Sequence, residues 1–352
     1  MSNQDLIIKQ AEDRDQKRWD DFIEKNHSAS PYHFFAWKKA IEMAYKHKCR
    51  YFYLEKNRQI VGAMPLVHLF FPSVINEMVG LPYCDVGNCV TSHEAYQDIL
   101  LTEILKDLDN GKVKKIQIRG PMEQTELLKS IMISIKTDKV RMFIDLPSSS
   151  DELFKSFQSK LRSQIKKAQK NGVVFRWGCL NDFDEAYAIF SKNMHELGSP
   201  VHSKLFLKSI LACYDDRAKL GLALYKGQIV GMGVILLGNA TVSIPWASTI
   251  REFNRLNPNM LLYWNLLKFS CENGFTVFDF GRSSVDEGTY KFKKQWGAKP
   301  VPLIWYQSKN KKIKISQKER KKDRKYAADL WRKIPYRLAN LIGPHIRKYI
   351  SL

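Results

Sequence analysis

No apolar run in the chain approaches the ~20 residues needed to span a bilayer as a helix. The best candidate, Val61 to Ile75, is interrupted by Pro65, His68 and Pro72. The start, Met1-Ser2-Asn3-Gln4-Asp5, lacks the charged-then-apolar order of a secretory signal, so a cytoplasmic protein is expected. Cysteine is scarce and unpaired. Cys49, Cys84, Cys89, Cys179, Cys213 and Cys271 form no CxxC pair and none stands at zinc-ligand spacing to a histidine, which excludes a zinc finger and points to reduced thiols. The glycine and aromatic strand pattern of an RNA-recognition module is also missing. Acids are outnumbered, with 36 Asp and Glu against 57 Lys and Arg, for a formal charge of +21.

What is present suffices for two cores. At 352 residues and 44% hydrophobic, the chain exceeds the usual size of one domain. Its charge is uneven. From Lys309 onward fifteen Lys or Arg meet three acids, which places +12 of the +21 in the tail, 309–352. Within that tail Leu330, Ile334, Leu338, Leu341, Ile342 and Ile346 recur at near-helical spacing, broken by Pro335 and Gly343-Pro344. Such a basic amphipathic segment either docks on the protein body or lies on an anionic membrane surface.

In chain order, residues 16 to 47 carry helical spacing through Phe34, Trp37, Ile41 and Tyr45. Tyr51 to Leu54 and Gln59 to Met64 read as a hairpin about Asn57 and Arg58. Ile99 to Leu108 reads as a helix ending at Asn110-Gly111, with a strand at Lys115 to Gly120. The order then repeats. Gln228-Ile229-Val230-Gly231 duplicates Gln59 to Gly62 after 169 positions, Leu261 to Glu272 is a helix ending at Asn273-Gly274, and Phe278-Asp279-Phe280 corresponds to Ile116-Gln117-Ile118. A duplicated α/β domain follows, divided as 1–150 and 151–308. Between the copies one helix is expected, N-capped by Ser150, with an apolar stripe of Phe154, Phe157, Leu161, Ile165 and Ala168. Its basic face, including Arg162 and Lys166, is either solvated or phosphate-binding.

The chemistry-bearing stretch is Val277-Phe278-Asp279-Phe280-Gly281-Arg282-Ser283-Ser284, then Gly288-Thr289-Tyr290-Lys291-Phe292-Lys293-Lys294-Gln295-Trp296-Gly297. It reads as a short strand ending at a glycine, followed by a helix with Phe292 and Trp296 toward the core and Gly297 at its left-handed cap. Asp279, Arg282, Ser283, Tyr290 and Lys293 thus gather around one turn, which is either a site or an ordinary turn beside a solvated basic helix. His195 and His202 are further candidates for a polar groove, or structural histidines.

This stretch resembles the signature of FemAB-related proteins, the aminoacyl and peptidyl transferases of tandem GNAT-type fold, and in particular their exopolysaccharide-associated branch. The resemblance extends to Pro300-Val301-Pro302-Leu303, Trp37, Gly80-Leu81-Pro82-Tyr83 with Asp85 and Gly87, Leu197 to Pro200, and Leu256 to Trp264. It implies two GNAT-like acyltransferase domains, each a mixed central sheet flanked by helices. It also implies transfer of an aminoacyl or acyl group to an amine of a peptidoglycan precursor or another envelope polysaccharide or lipid-linked acceptor. The catalytic candidates are then Asp279, Arg282 and Tyr290, and the substrate-binding candidates Trp37, Asp85, Arg162, Lys166, Ser283 and Lys293. For Trp37 a core role, and for Asp85 and Asp279 a turn or capping role, are the alternatives. No tightly bound cofactor or metal is implied. The donor is aminoacyl-tRNA or acyl-CoA, and Arg251 to Pro258, lacking the glycines that let a backbone approach pyrophosphate, favours tRNA. There Asn257 is expected as N-cap and Pro258 as first helical residue. A non-catalytic RNA- or membrane-surface-binding protein on the same fold is the competing class.

Overall fold

The computed structural model describes residues 6–308 and 317–352. The first part of the tail's charge run, 309–316, lies outside the described residues. Backbone contacts divide the chain into two units: residues 6–140, 302–308 and Tyr349–Leu352 form the first, and Arg141–Val301 with 317–348 the second.

In the first unit β1 (Leu6–Gln10) leads to α1 (Gln16–Lys25) and α2 (Phe35–Tyr45). The helical spacing over 16 to 47 is thus split in two. Pro31 has no amide proton to donate, and the Ser30 amide is taken by His33 Nδ1 at 3.1 Å. The hairpin of β2 (Lys48–Lys56) and β3 (Gln59–Phe71) turns at Asn57 and Arg58, whose φ of 49° and 62° suits the right-handed twist of a two-residue turn. There follow β4 (Ile75–Gly80), β5 (Val90–Thr91), α3 (Ala95–Asp109), β6 (Lys115–Arg119) and α4 (Glu126–Ile131). Leu100, Leu101 and Ile104 of α3 join Leu54, Met64 and Ile118 in one buried cluster. Each such side chain contributes ~1.5–3 kcal/mol on burial. β7 (Met132–Asp145) then carries the chain past the division at Val140.

The second unit contains α5 (Ser150–Ser156), α6 (Ser159–Lys170), β8 (Val173–Trp177), α7 (Phe183–Glu196) and α8 (Lys204–Tyr214). It continues with β9 (Ala218–Tyr225), β10 (Gln228–Leu237), β11 (Thr241–Thr249), α9 (Pro258–Glu272), β12 (Val277–Ser284) and α10 (Gly288–Lys294). β13 (Lys299–Ser308) returns to the first unit at Pro302, while α11 (Gln317–Lys333) and α12 (Tyr336–Arg347) belong to the second.

The strand orders show the duplication. The first unit runs β1-β2-β3-β4-β6-β13, and the second β8-β9-β10-β11-β12-β7. In each, a run of antiparallel neighbours leads to one parallel pair, β4-β6 or β11-β12, whose crossover contains a long helix, α3 or α9. The register matches as well: Val79 faces Gln117 in the first unit and Ser243 faces Asp279 in the second.

Several expectations need correction. The helix between the copies is two helices, and Ser149, not Ser150, is its N-cap, accepting from the Asp151 amide at 3.2 Å. Phe157 leaves the helix, and its ring lies 5.4 Å from that of Trp296 and 5.9 Å from that of Trp264. Asn257 and Pro258 do take the N-cap and first helical positions of α9, but Asn257 has φ 58° and no side-chain cap; its carbonyl accepts from the Met260 amide instead. Phe292 is half-buried, whereas Trp296 is buried.

In the tail, α12 docks on the second unit with Ala339 and Gly343 buried, and Tyr336 and Ser191 share a hydroxyl bond of 2.7 Å. Its other side leaves Leu338 and Leu341 exposed beside Arg337. His195 Nε2 bonds the Ile334 carbonyl at 2.8 Å. Both histidines raised by the sequence are therefore integral to the packing of this unit. His202 is 2% exposed, and its ring lies 5.2 Å from Phe206 and 6.1 Å from Trp246.

Burial, and secondarily the Arg347 charge, holds the His202 pKa well below its ordinary 6.5. The folded chain therefore keeps His202 neutral while the unfolded chain takes up a proton below about pH 6.5. Its stabilising contribution is complete above that pH and declines as pH falls, by up to ~1.4 kcal/mol per pH unit. Thermal melts from pH 7.5 to 5 are expected to fall less steeply for His202→Gln than for the parent. Parallel curves would assign the acid sensitivity to other groups.

Candidate functional site

The site of the second unit begins with two parallel strands that part. β11 and β12 are in register over three pairs, Thr241 with Val277, Val242 with Phe278 and Ser243 with Asp279. Beyond these, β11 continues to Thr249 and β12 to Ser284 without further pairing to each other. The sequence supplies a break on each strand. Pro245 has no N–H for a ladder, and the β10–β11 register slips between Val234 and Leu236, opposite Trp246 and Ser243. On β12, Gly281 takes φ +72°, a left-handed conformation that a side-chain-bearing residue adopts only at a cost. The turn expected at this glycine is therefore a kink inside a strand that runs on to Ser284. The connection to α10 comes after it, at residues 285–287.

The kink is fixed by side chains from four elements. Asp279 is 1% exposed; its Oδ1 accepts from the Gly281 amide at 2.9 Å, and its Oδ2 from Arg141 on β7 at 2.5 Å and from the Ser243 hydroxyl at 3.2 Å. Lys293 of α10, 8% exposed, donates to the carbonyls of Gly281 at 3.1 Å and Arg282 at 2.8 Å. The FDFG and KFKKQW halves of the signature thus meet across one kinked peptide. Behind them Tyr263 of α9 stacks on Phe280 at 5.8 Å and meets the edge of Phe292 at 5.0 Å. Burial raises the Tyr263 pKa, which keeps the phenol neutral.

The other expected residues distribute as follows. Arg282 is half-buried and follows the kink; Ser283 is buried, its Oγ having no hydrogen-bond partner among the described residues. Tyr290 is buried on α10, with Lys294 Nζ 6.0 Å from its ring centroid. Arg162 donates to the carbonyls of Lys155 at 2.9 Å and Phe157 at 2.8 Å, closing the end of α5. Lys166 is exposed, 6.0 Å from the Phe154 ring. In the first unit, Trp37 is buried with its Nε1 on the Pro82 carbonyl at 3.2 Å, and Asp85 is half-buried in the loop after β4. The sequence reading missed Arg141, Ser243 and Pro245. An arginine between apolar neighbours on a strand, and a proline within one, were the available signals.

Among the described residues no three His, Cys, Asp or Glu are placed to hold a metal ion. No described helix is long and apolar enough to cross a membrane.

The parted parallel strands and the long crossover helix define a GNAT-type unit, and residues 155–294 match the acetyltransferase (GNAT) domain family. The described chain has a tandem GNAT fold, as the resemblance implied. It is similar to the crystal structure of FemX, with a TM-score of 0.68 and 13% identity, covering 86% of this chain and 96% of that one. The C-terminal domain of a protein assigned as a lysylphosphatidylglycerol synthetase from Agrobacterium fabrum gives a TM-score of 0.59 at 10% identity, covering 96% and 97%. A tandem GNAT protein from the clavulanic acid biosynthesis pathway gives 0.51 at 10% identity, covering 86% and 98%. No curated protein matches the sequence.

Proposed function

We propose that the chain is an acyltransferase that binds an activated aminoacyl or acyl donor where β11 and β12 part and transfers its acyl group to an amine of an envelope-precursor acceptor. The observation that carries this reading is the parting itself. Strands that stop pairing while remaining extended present backbone N–H and C=O groups that a donor's acyl carbonyl and its neighbouring amine or amide groups can complete. In aminolysis the neutral amine attacks the carbonyl carbon and the oxyanion that forms needs donors. The amine's proton must then leave, and the leaving oxygen or sulfur departs with the bonding pair. In this reading Asp279 positions the kink, since its two oxygens already accept from Arg141, Ser243 and Gly281. Arg282 and Tyr290 remain the candidates for contact with the reacting groups.

Aminoacyl-tRNA is the favoured donor. The segment before α9, Arg251–Leu256, is a 3-10 turn without glycine, and Asn257 takes its left-handed conformation with a full side chain, a poor cradle for pyrophosphate. The basic charge suits a polyanionic donor. The test supplies radiolabelled aminoacyl-tRNA or acetyl-CoA to the full chain with peptide-bearing or lipid-linked sugar acceptors. Transfer from tRNA, and none from acetyl-CoA, is expected. A folded chain that uses acetyl-CoA alone would reverse the donor assignment, and one that transfers from neither would end the transferase reading for these acceptors.

A further inference from the structure

The first unit repeats the parting of strands, with a different content. β4 ends at Gly80 after pairing with β6 over three positions, and β6 runs on to Arg119. Arg119 stands two residues past Gln117, as Gly281 stands two past Asp279. Here the place is filled by the chain itself, since Tyr349–Leu352 belongs to this unit. The Ser351 carbonyl accepts from the Tyr83 amide at 2.7 Å and from Arg119 Nη1 at 2.8 Å, and the Ser351 hydroxyl accepts from Arg119 Nη2 at 2.8 Å. The guanidinium also donates to the Cys84 carbonyl at 3.1 Å and to Gln117 Oε1, and it lies 5.2 Å from the Trp305 ring centroid. The Tyr349 ring has His47 at 5.6 Å and Phe71 at 5.3 Å.

Two features mark this as a built site. Arg119 is 0% exposed, so a fully buried charge commits both terminal nitrogens to a short segment. The loop that presents the Tyr83 amide is also held in an uncommon conformation, with φ +46° at Leu81 and +72° at Tyr83. Non-glycine residues keep such angles only where surrounding packing enforces them, and they concentrate at ligand clamps. The enforcement is visible: Gly80 and Gly87 approach so closely that a Cβ on Gly80 would stand 2.0 Å from the Gly87 carbonyl oxygen. This accounts for the Gly80-Leu81-Pro82-Tyr83 block with Gly87, which the transfer chemistry of the second unit does not use.

We propose that the Arg119–Tyr83 cradle is a peptide-binding site whose resting occupant is the chain's own Tyr349–Ser351 segment. Its ligand class is a short peptide with a main-chain carbonyl for the paired donors and a small hydroxyl side chain for Arg119 Nη2. Two N–H groups converging on one carbonyl oxygen read main chain, and the third donor reads the hydroxyl.

The experiment uses the chain ended after Lys348, the full chain, and a fluorescent Tyr-Ile-Ser-Leu amide peptide followed by anisotropy. Saturable binding to the shortened chain is expected, at least tenfold tighter than to the full chain, where the tethered segment competes at high effective concentration. Replacing serine by alanine in the peptide should weaken binding about three- to tenfold with the protein unchanged. Peptide-dependent tryptophan emission should disappear in Trp305→Phe. A shortened chain that no longer melts cooperatively would make the segment a structural clip and overturn the proposal. So would a folded shortened chain that ignores the peptide or binds the serine, alanine and scrambled peptides equally. None of these readings involves acyl transfer, so the outcome stands apart from the fate of the transferase assignment.

Discussion

Asp279→Ala is expected to destabilise the chain by about 3–5 kcal/mol, the largest effect of any single substitution at the kink. The reason is what the carboxylate leaves behind. Asp279 is 1% exposed and the Arg141 side chain is 12% exposed, so removing the acid leaves a largely buried guanidinium without this counter-charge. The Ser243 hydroxyl and the Gly281 amide lose an acceptor as well, and buried donors left without one cost ~1–3 kcal/mol each. Asp279→Asn should lose less, because its amide oxygen can still accept, although its NH2 group must face one of the former donors. Pairing Arg141→Met with Asp279→Leu should recover part of the loss, because the pair's desolvation cost disappears with its attraction. Urea unfolding of the four proteins checks this. A loss below about 1 kcal/mol for Asp279→Ala would mean that the kink does not depend on the buried pair.

Much of this architecture was legible in the sequence because it rests on local rules. The Asn57-Arg58 turn, the Asn-Gly helix ends and the repeated Gln-Ile-Val-Gly announce themselves over a few residues, and their order points to the duplication. What local rules could not supply was the partner of Asp279. Arg141 lies 138 positions away, and only the packing of β7 beside β12 gives the carboxylate its buried cation. The same limit applies to Gly281: a glycine after a strand-like run looks like the strand's end, whereas the strand's own Asp279 and a lysine from α10 hold it as a kink within the strand. Phe157 shows the converse. Its spacing fits the apolar stripe of a continuous helix, but the aromatic contacts with Trp264 and Trp296 and the carbonyls capped by Arg162 end the helix there. The Arg119 cradle depends on residues as distant as Tyr83 and Ser351, which no window of sequence joins.

Lys293→Met is expected to lower acyl transfer about 10²-fold while leaving a folded chain, with the loss mainly in kcat. Methionine keeps most of the side chain's length and its apolar stem but removes the ammonium that bonds the Gly281 and Arg282 carbonyls at 3.1 and 2.8 Å. Those carbonyls belong to the peptide that turns β12 away from its partner, so without the ammonium the left-handed kink is free to relax. A relaxed kink moves Arg282 and Ser283, the next residues on the strand, and a displacement near 1 Å is enough for the expected loss when reacting groups must be aligned. The stability cost, about 1–3 kcal/mol, is smaller than for Asp279→Ala because the bonds lost are to neutral carbonyls and the remaining side chain is apolar. Lys293→Arg keeps the charge but forks the donors, and should restore only part of the rate. If Lys293→Met, shown to be folded by its melt, transfers acyl groups from aminoacyl-tRNA at the parental rate, then Lys293 serves packing alone. The signature's second half would then be a structural mark of the fold, and the reacting groups would have to be sought away from the parted strands.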